Sequence, residues 1–350
     1  QWYRSDISEV DAFNPQEALL KAEKEATLIY GTKFTKFLTN GSTSGIISAV
    51  IASKAKKILV WDHAHPCHKN ACLLAGAEII EYSLPFDEEL GVYRAITYTK
   101  VKELLEKNSP DSIIITSPTY EGFSADVVNI SKLCNQKGIT LIVDEAHGAH
   151  MGFDDYHPKN SIQCGADLVI HSLHKTLPSF TQTALIHVNS KYIDAKRVEF
   201  YLGIYETSSP SYLLMASIDQ CIGILENRKE ELFYQYRIHM ELFFKDIAGL
   251  KHLKVMKASD YIEKSDAQIY AVDPSKLVIS VKNTSITGKM LYAILREKYL
   301  IQLEMSSFSY ALAMTSICDT REGLQRLSNA LCEIDQCIDQ KKTTMSATID

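Results

Sequence analysis

The sequence predicts an α/β fold: a mainly parallel sheet in a large domain, followed by a smaller α+β C-terminal domain. Three observations carry that reading. Short apolar β-like runs alternate with helical stretches between Lys33 and Val188, the pattern of right-handed crossovers covering both faces of a parallel sheet. From Ser211 onward the pattern changes to long amphipathic helix and then to shorter mixed elements. At 350 residues the chain also exceeds the size at which one hydrophobic core keeps growing. The expected division is a large domain over 1–210, linking helices and the small domain over 211–340, and a polar, frayed tail over 341–350.

Asn14-Pro15-Gln16-Glu17 is a helix start, with Asn as cap, Pro at the first helical position and Glu three residues after the cap. Ala18, Leu19, Ala22, Ala26 and Ile29 follow at helical spacing, and Gly31 ends the element. Lys33–Thr39 reads as a strand leading into Asn40-Gly41-Ser42-Thr43-Ser44-Gly45 and an apolar helix through about Ala55. Further strands are expected at Ile58–Trp61, Glu78–Tyr82, Ser112–Thr116, Ile139–Val143, Leu168–Ile170 and Ala184–Val188. Helices are expected at Lys69–Leu74, Thr99–Lys107 and Asp126–Gln136. Downstream, Ser211–Ala248, Thr287–Lys298 and Arg321–Ile338 read as helices, and Lys276–Val281, Ile301–Leu303 and Leu312–Ser316 as strands.

Composition is that of a globular protein, 46% hydrophobic and 23% charged. The 37 basic and 43 acidic residues leave a formal charge of −6 without a long single-sign block, so nucleic acid and membrane surfaces are not expected partners. No apolar run is long enough for a membrane span, and residues 1–30 lack a signal-peptide pattern. The eight cysteines are scattered without framework spacing and read as reduced thiols of a cytoplasmic protein.

Ligands of open α/β sheets bind beyond the carboxyl ends of the strands, and the chemistry-bearing residues fall there. Ser42, Thr43 and Ser44 follow one strand, His68 the next, and Thr119-Tyr120 a third; Asp144 ends another, and Ser172, His174 and Lys175 follow the last. Gly41-Ser42-Thr43-Ser44 at a helix start is a phosphate-cradle candidate, since hydroxyls and free amides converge there; an ordinary Ser/Thr cap is the alternative. Lys175 lies 31 residues after Asp144. A lysine to take an aldehyde and an acid to keep a pyridine nitrogen protonated are the two groups that pyridoxal phosphate requires. Taken singly, each is as well explained as a solvated lysine and a capping acid; the shared placement is what selects the cofactor. No Walker loop occurs, which removes a helicase reading of Asp144-Glu145-Ala146-His147. The Asp62-His63-Ala64-His65-Pro66-Cys67-His68 run is too tightly packed around Pro66 for a tetrahedral metal, and no metal is expected. His68 is instead expected to stack on the cofactor ring, Ala146 to underlie its other face, and His147 to touch substrate or to be structural.

These strings closely resemble the ornithine/lysine/arginine decarboxylase family, pyridoxal-phosphate enzymes of fold type I (aspartate-aminotransferase-like). The matching segments are Thr39–Gly45, Cys67-His68-Lys69, Ser117–Gly122, Val143–His150, His171–Pro178 and Thr207–Tyr212, in family order across residues 37–215. The resemblance implies Lys175 as the lysine that carries the cofactor, Asp144 as its pyridinium partner, His68 as its stacking residue, and Ser42, Thr43, Ser44, Ser172 and His174 as the phosphate shell. It implies a homodimer with shared sites, in which Ser209 or its neighbours reach the partner's cofactor, and Tyr120 beside the substrate. The expected activity is decarboxylation of lysine, ornithine or arginine to CO₂ and a di- or polyamine. Transamination, α-oxoamine synthesis and a shortened non-catalytic homologue are the alternatives. The last arises because the family's upstream Pro-Gly-His-Lys segment and C-terminal extension do not occur in this sequence, and His63-Ala64-His65-Pro66 replaces the usual Arg-Asn. A distal cation needs a carboxylate; Glu121, Asp154, Glu206 and Glu304 are the candidates.

Overall fold

The computed structural model describes residues 17–88, 90–263 and 269–346. In chain order the first part runs α1 (Glu17–Tyr30), β1 (Phe34–Leu38), α2 (Gly41–Ser53), β2 (Lys57–Trp61), α3 (Pro66–Leu74), β3 (Glu78–Tyr82), β4 (Phe86–Asp87), β5 (Val92–Tyr93) and α4 (Tyr98–Asn108). It continues through β6 (Ser112–Thr116), β7 (Phe123–Ser124), α5 (Val127–Lys137), β8 (Thr140–Asp144), β9 (Leu168–Ser172), α6 (Leu173–Thr176), β10 (Ala184–Val188) and α7 (Ala195–Tyr205). The cap expected at Asn14 and Pro15 lies outside the described residues. Elsewhere the caps follow the sequence: Asp126 accepts from the Asn129 amide, and α5 stops at Gly138 in the left-handed region.

Seven strands form the central sheet in the order β1-β10-β9-β8-β6-β2-β3. β9, β8, β6, β2 and β3 pair in parallel, whereas β10 is antiparallel to both of its neighbours. Residues 173–183 between β9 and β10 are too few for a crossover helix that would cover a sheet face, so the chain returns beside itself. β8, β9 and β10 are buried along their whole length, and alternate side chains enter different cores. Ile113, Ile115 and Val143 join a cluster with α1, α4, α5 and α8 residues, while Ile114, Ile142 and Ile170 join another with α2, α3 and α7 residues. α2 lies so close to the sheet that a Cβ on Gly45 would meet Leu38 Cδ1 at 2.6 Å.

The C-terminal part comprises α8 (Tyr212–Asp246), β11 (Lys254–Val255), α9 (Ala258–Glu263), β12 (Ala271–Val272), β13 (Lys276–Ser280), α10 (Gly288–Tyr299), β14 (Met305–Ser306), β15 (Tyr310–Met314) and α11 (Arg321–Ser346). Ile218, Ile222, Leu225, Phe233, Tyr236, Met240 and Phe243 form the buried stripe of α8. A four-stranded antiparallel sheet, β11-β13-β15-β14, follows it, and β12 pairs back to β7. Two expectations fail here. Ile301–Leu303 is not a strand, since Leu300 sits in the left-handed region as the cap of α10 and pairing begins only at Met305. α11 continues to Ser346, into the stretch expected to be a frayed tail; residues 347–350 lie outside the described part.

Candidate active site

At the carboxyl end of the parallel strands lies a cavity of about 480 Å³. It is lined by Ser42 and Thr43 after β1, Trp61, His63, His65 and Cys67 after β2, and Thr116 and Tyr120 after β6. Asp144, Ala146 and His147 after β8, and Ser172, His174 and Lys175 after β9, complete it. Residues separated by more than a hundred positions converge because parallel strands place all their carboxyl ends on one side.

Asp144 ends β8 with its carboxylate held from behind. His68 Nε2 donates to Oδ2 at 2.7 Å, and the Ala146 amide donates to Oδ1 at 3.1 Å. Burial alone would push this acid up, but the His68 hydrogen bond and charge, the Ala146 amide and Lys175 together hold it below the usual carboxylate range. Lys175 lines the same cavity. Burial lowers the Lys175 ammonium against the opposing pull of Asp144 and Glu304. Its Nζ lies 3.0 Å from His147 Nε2. His147 is held well below the ordinary histidine range by burial and by the positive charges of Lys276 and Lys175, so its Nε2 is the acceptor and Lys175 the donor. The Tyr120 ring lies 4.4 Å from that of His147, and its hydroxyl donates to Glu304 Oε1 at 2.6 Å.

At the same cavity α2 begins at Gly41, which takes φ 77°, and the Asn40 side chain does not cap the helix. Its first amides therefore stay free for an anion, beside Ser42 and Thr43. Ser172 Oγ is buried without a partner. His174 donates from Nδ1 to the Thr183 carbonyl at 2.9 Å, which fixes the ring at the wall. Pyridoxal phosphate fits these residues: an orphaned hydroxyl and a free helix end for the phosphate, an ionised acid for the pyridine nitrogen and an amine for the aldehyde.

Several expected residues lie elsewhere. His68 is fully buried behind Asp144 and does not line the cavity. Its Nε2 is bonded to the Asp144 carboxylate, and His65 lines the wall. Ser44 turns inward, donating to the Gly41 carbonyl at 2.8 Å and to the Glu206 carboxylate, so it is not a phosphate donor. Ser209 is exposed in the turn before α8, outside this cavity, and its expected contact is with the partner's cofactor. Among the distal-cation candidates, Glu206 is spent on the β1–α2 turn, accepting from the Thr39 amide and hydroxyl at 3.0 and 3.1 Å and from the Asn40 amide at 3.3 Å. Asp154 binds His157 at 2.7 Å, away from the cavity. Glu121 accepts from the Tyr310 hydroxyl at 2.7 Å, and burial raises its carboxyl. Glu304 alone of the four meets a cavity residue, Tyr120. The roles of His65 and Glu206 carry no local sequence signal; each follows from tertiary placement.

This sheet and cleft define a fold-type-I pyridoxal-phosphate architecture. A lysine decarboxylase from Francisella novicida superposes with a TM-score of 0.81 at 17% identity, covering 95% of this chain and 52% of that one. The constitutive lysine decarboxylase of Escherichia coli gives 0.79 at 19%, covering 95% and 54%. A serine palmitoyltransferase from Sphingomonas wittichii shares the fold at 0.70 and 14%, covering 96% and 80%.

The Orn/Lys/Arg decarboxylase major-domain model matches residues 4–322, and the chain belongs to that family. Arginine decarboxylases from Bacillus anthracis and Bacillus cereus are 30% and 31% identical to it. Those alignments cover 95% and 93% of this chain and 67% and 70% of the relatives. The chain thus spans about two thirds of those relatives and about half of the solved lysine decarboxylases. Among the described residues no helix is long and apolar enough to cross a membrane.

Proposed function

We propose that the chain acts as a pyridoxal-phosphate-dependent decarboxylase of a basic L-amino acid, releasing CO₂ and a di- or polyamine. The observation that carries this is the convergence of Lys175, Asp144 and the unpaired Ser172 hydroxyl on one cavity that Glu304 borders through Tyr120. Arginine is the first substrate to test, because the relatives aligned over more than nine tenths of the chain are named arginine decarboxylases.

Bound in this cleft, pyridoxal phosphate supplies an electron sink for the pair left when the bond between Cα and the carboxylate breaks. Asp144, ionised and buried, holds the proton on the ring nitrogen. Lys175 anchors the cofactor, its amine poised against His147. His147 is neutral, so it accepts a hydrogen bond from Lys175 and orients that amine, which is the group placed to carry a proton toward Cα. The Ser42, Thr43 and Ser172 hydroxyls, with His174, orient the phosphate. Glu304 meets the distal ammonium or guanidinium, in exchange for its bond to Tyr120. The cofactor domain on this reading spans residues 1–210, and residues 211–340 form the linking helices and the small domain.

We also propose a cytoplasmic homodimer with shared sites. Phe200, Ile204 and Leu213 are more than half exposed and lie on α7 and α8, on either side of the Thr207–Ser211 turn that carries Ser209, apolar side chains that pairing would cover. Carboxyl-labelled arginine, lysine and ornithine incubated with the purified chain and cofactor should give labelled CO₂ and amine in equal amounts from at least one of them. Keto acid without CO₂ would place the chain among the transaminating members of the fold.

A further inference from the structure

Three buried side chains remain that the cofactor site does not use. His150 lies on the turn after β8, three residues past His147; His157 follows on the same loop; Asp273 opens the tight turn between β12 and β13. One donor atom of each lies within 4.8 Å of the other two. His150 Nε2 and Asp273 Oδ1 are 3.1 Å apart, close to the ~3.3 Å edge of a tetrahedron whose ligands stand at about 2.0–2.1 Å from zinc.

His157 supplies the independent observation. Its Nδ1 is bonded to Asp154 Oδ1 at 2.7 Å, its side chain is fully buried, and its Nε2 has no partner. A carboxylate on one ring nitrogen that leaves the other bare is the orientation found behind metal-ligating histidines. The His150 and His157 rings meet edge to face at 4.8 Å, and His157 is stacked on Tyr236, so the free nitrogen is held in place. Asp154 and His157 also form part of the wall of an open polar pocket of about 470 Å³, shared with Gly152, Asp155, Lys159 and Gln163.

We propose that His150, His157 and Asp273 form a site for a divalent transition metal of the zinc class, with His157 oriented by Asp154. The Lys276 ammonium lies 3.6 Å from Asp273 Oδ2, on the oxygen that does not face His150. It competes for the same carboxylate, so the site is a moderate one rather than a structural zinc centre on which folding depends. Bound metal would tie the loop carrying His147 to the C-terminal part through Asp273. This inference does not depend on the decarboxylase reading, and its test needs no turnover.

The full chain, freed of metal with a chelator, is titrated with zinc chloride by calorimetry, and with cobalt(II) chloride by visible absorption. The wild type should take up one equivalent of zinc and show a cobalt band of low-coordinate intensity. His157→Phe, which keeps a ring against Tyr236 and removes the donor, should weaken zinc uptake at least tenfold while retaining the wild-type circular dichroism. His157→Gln should behave the same way, which guards against a folding defect of the first variant. Uptake by either folded variant equal to that of wild type, or no uptake by wild type, overturns the site.

Discussion

Replacing His68 by leucine tests the most specific feature of the site, that this histidine works through Asp144 and not on the cofactor's face. The 2.7 Å hydrogen bond from Nε2 to Oδ2 is buried and has a charged acceptor. Bonds of that kind contribute about 1.5–3 kcal/mol. Its loss should lower kcat/KM about 10- to 100-fold. The sign of the pH effect follows from the same contact. Asp144 is held below its ordinary range, so its charge is lost only as pH falls through that low value. Without His68 burial dominates, the acid rises, and the acid limb of the kcat/KM profile moves to higher pH. The assay is CO₂ release across pH for wild type, His68→Leu, Asp144→Ala and the double variant. A residue acting through Asp144 costs nothing further once Asp144 is gone. Full additivity of the two losses, with an unmoved acid limb, would refute the positioning role and restore a stacking one.

Lys175→Ala should abolish both turnover and the visible absorbance of lysine-bound cofactor, and a retained band would point to another lysine. Ser172→Ala removes a hydroxyl facing the phosphate site; cofactor Kd should rise about 10-fold, in line with ~1.5 kcal/mol for a bond to a charged group, with kcat at saturating cofactor little changed. Glu304→Gln should raise KM for the basic amino acid about 10-fold or more without altering the cofactor spectrum, and an unchanged KM would exclude it as the distal carboxylate. His187, buried between Thr35 and His171 at 2.9 and 3.1 Å, is held well below its ordinary range by burial and by His171. A histidine kept neutral in this way contributes stability above pH 6.5 that is lost as pH falls, by up to about 1.4 kcal/mol per pH unit. Thermal melts should show that loss, and His187→Gln should flatten it.

Strand and helix positions before Val188 were legible because apolar runs of strand length alternate with capped helices, as Asp126 and Gly138 bracket α5. The reversed direction of β10 was not, since it depends on the length of the β9–β10 link and not on the composition of the strand. The pairing of Lys175 with Asp144 in one cleft was legible from their placement after strands. The position of His68 was not, because sequence order cannot tell a side chain over a ring from one behind the acid that grips it. Glu206 stood among four open candidates for a similar reason: its carboxylate is consumed by the β1–α2 turn 167 positions upstream. His150 and His157 share a loop, but Asp273 lies more than a hundred positions further on, so the sequence shows no complete ligand spacing.

Crystals grown with pyridoxal phosphate test the central claim most directly. Density should run continuously from Lys175 Nζ to the cofactor, with the pyridine nitrogen within hydrogen-bonding distance, about 2.7–3.2 Å, of the Asp144 carboxylate. Cofactor joined to a different lysine, or seated with its ring nitrogen away from Asp144, would contradict it.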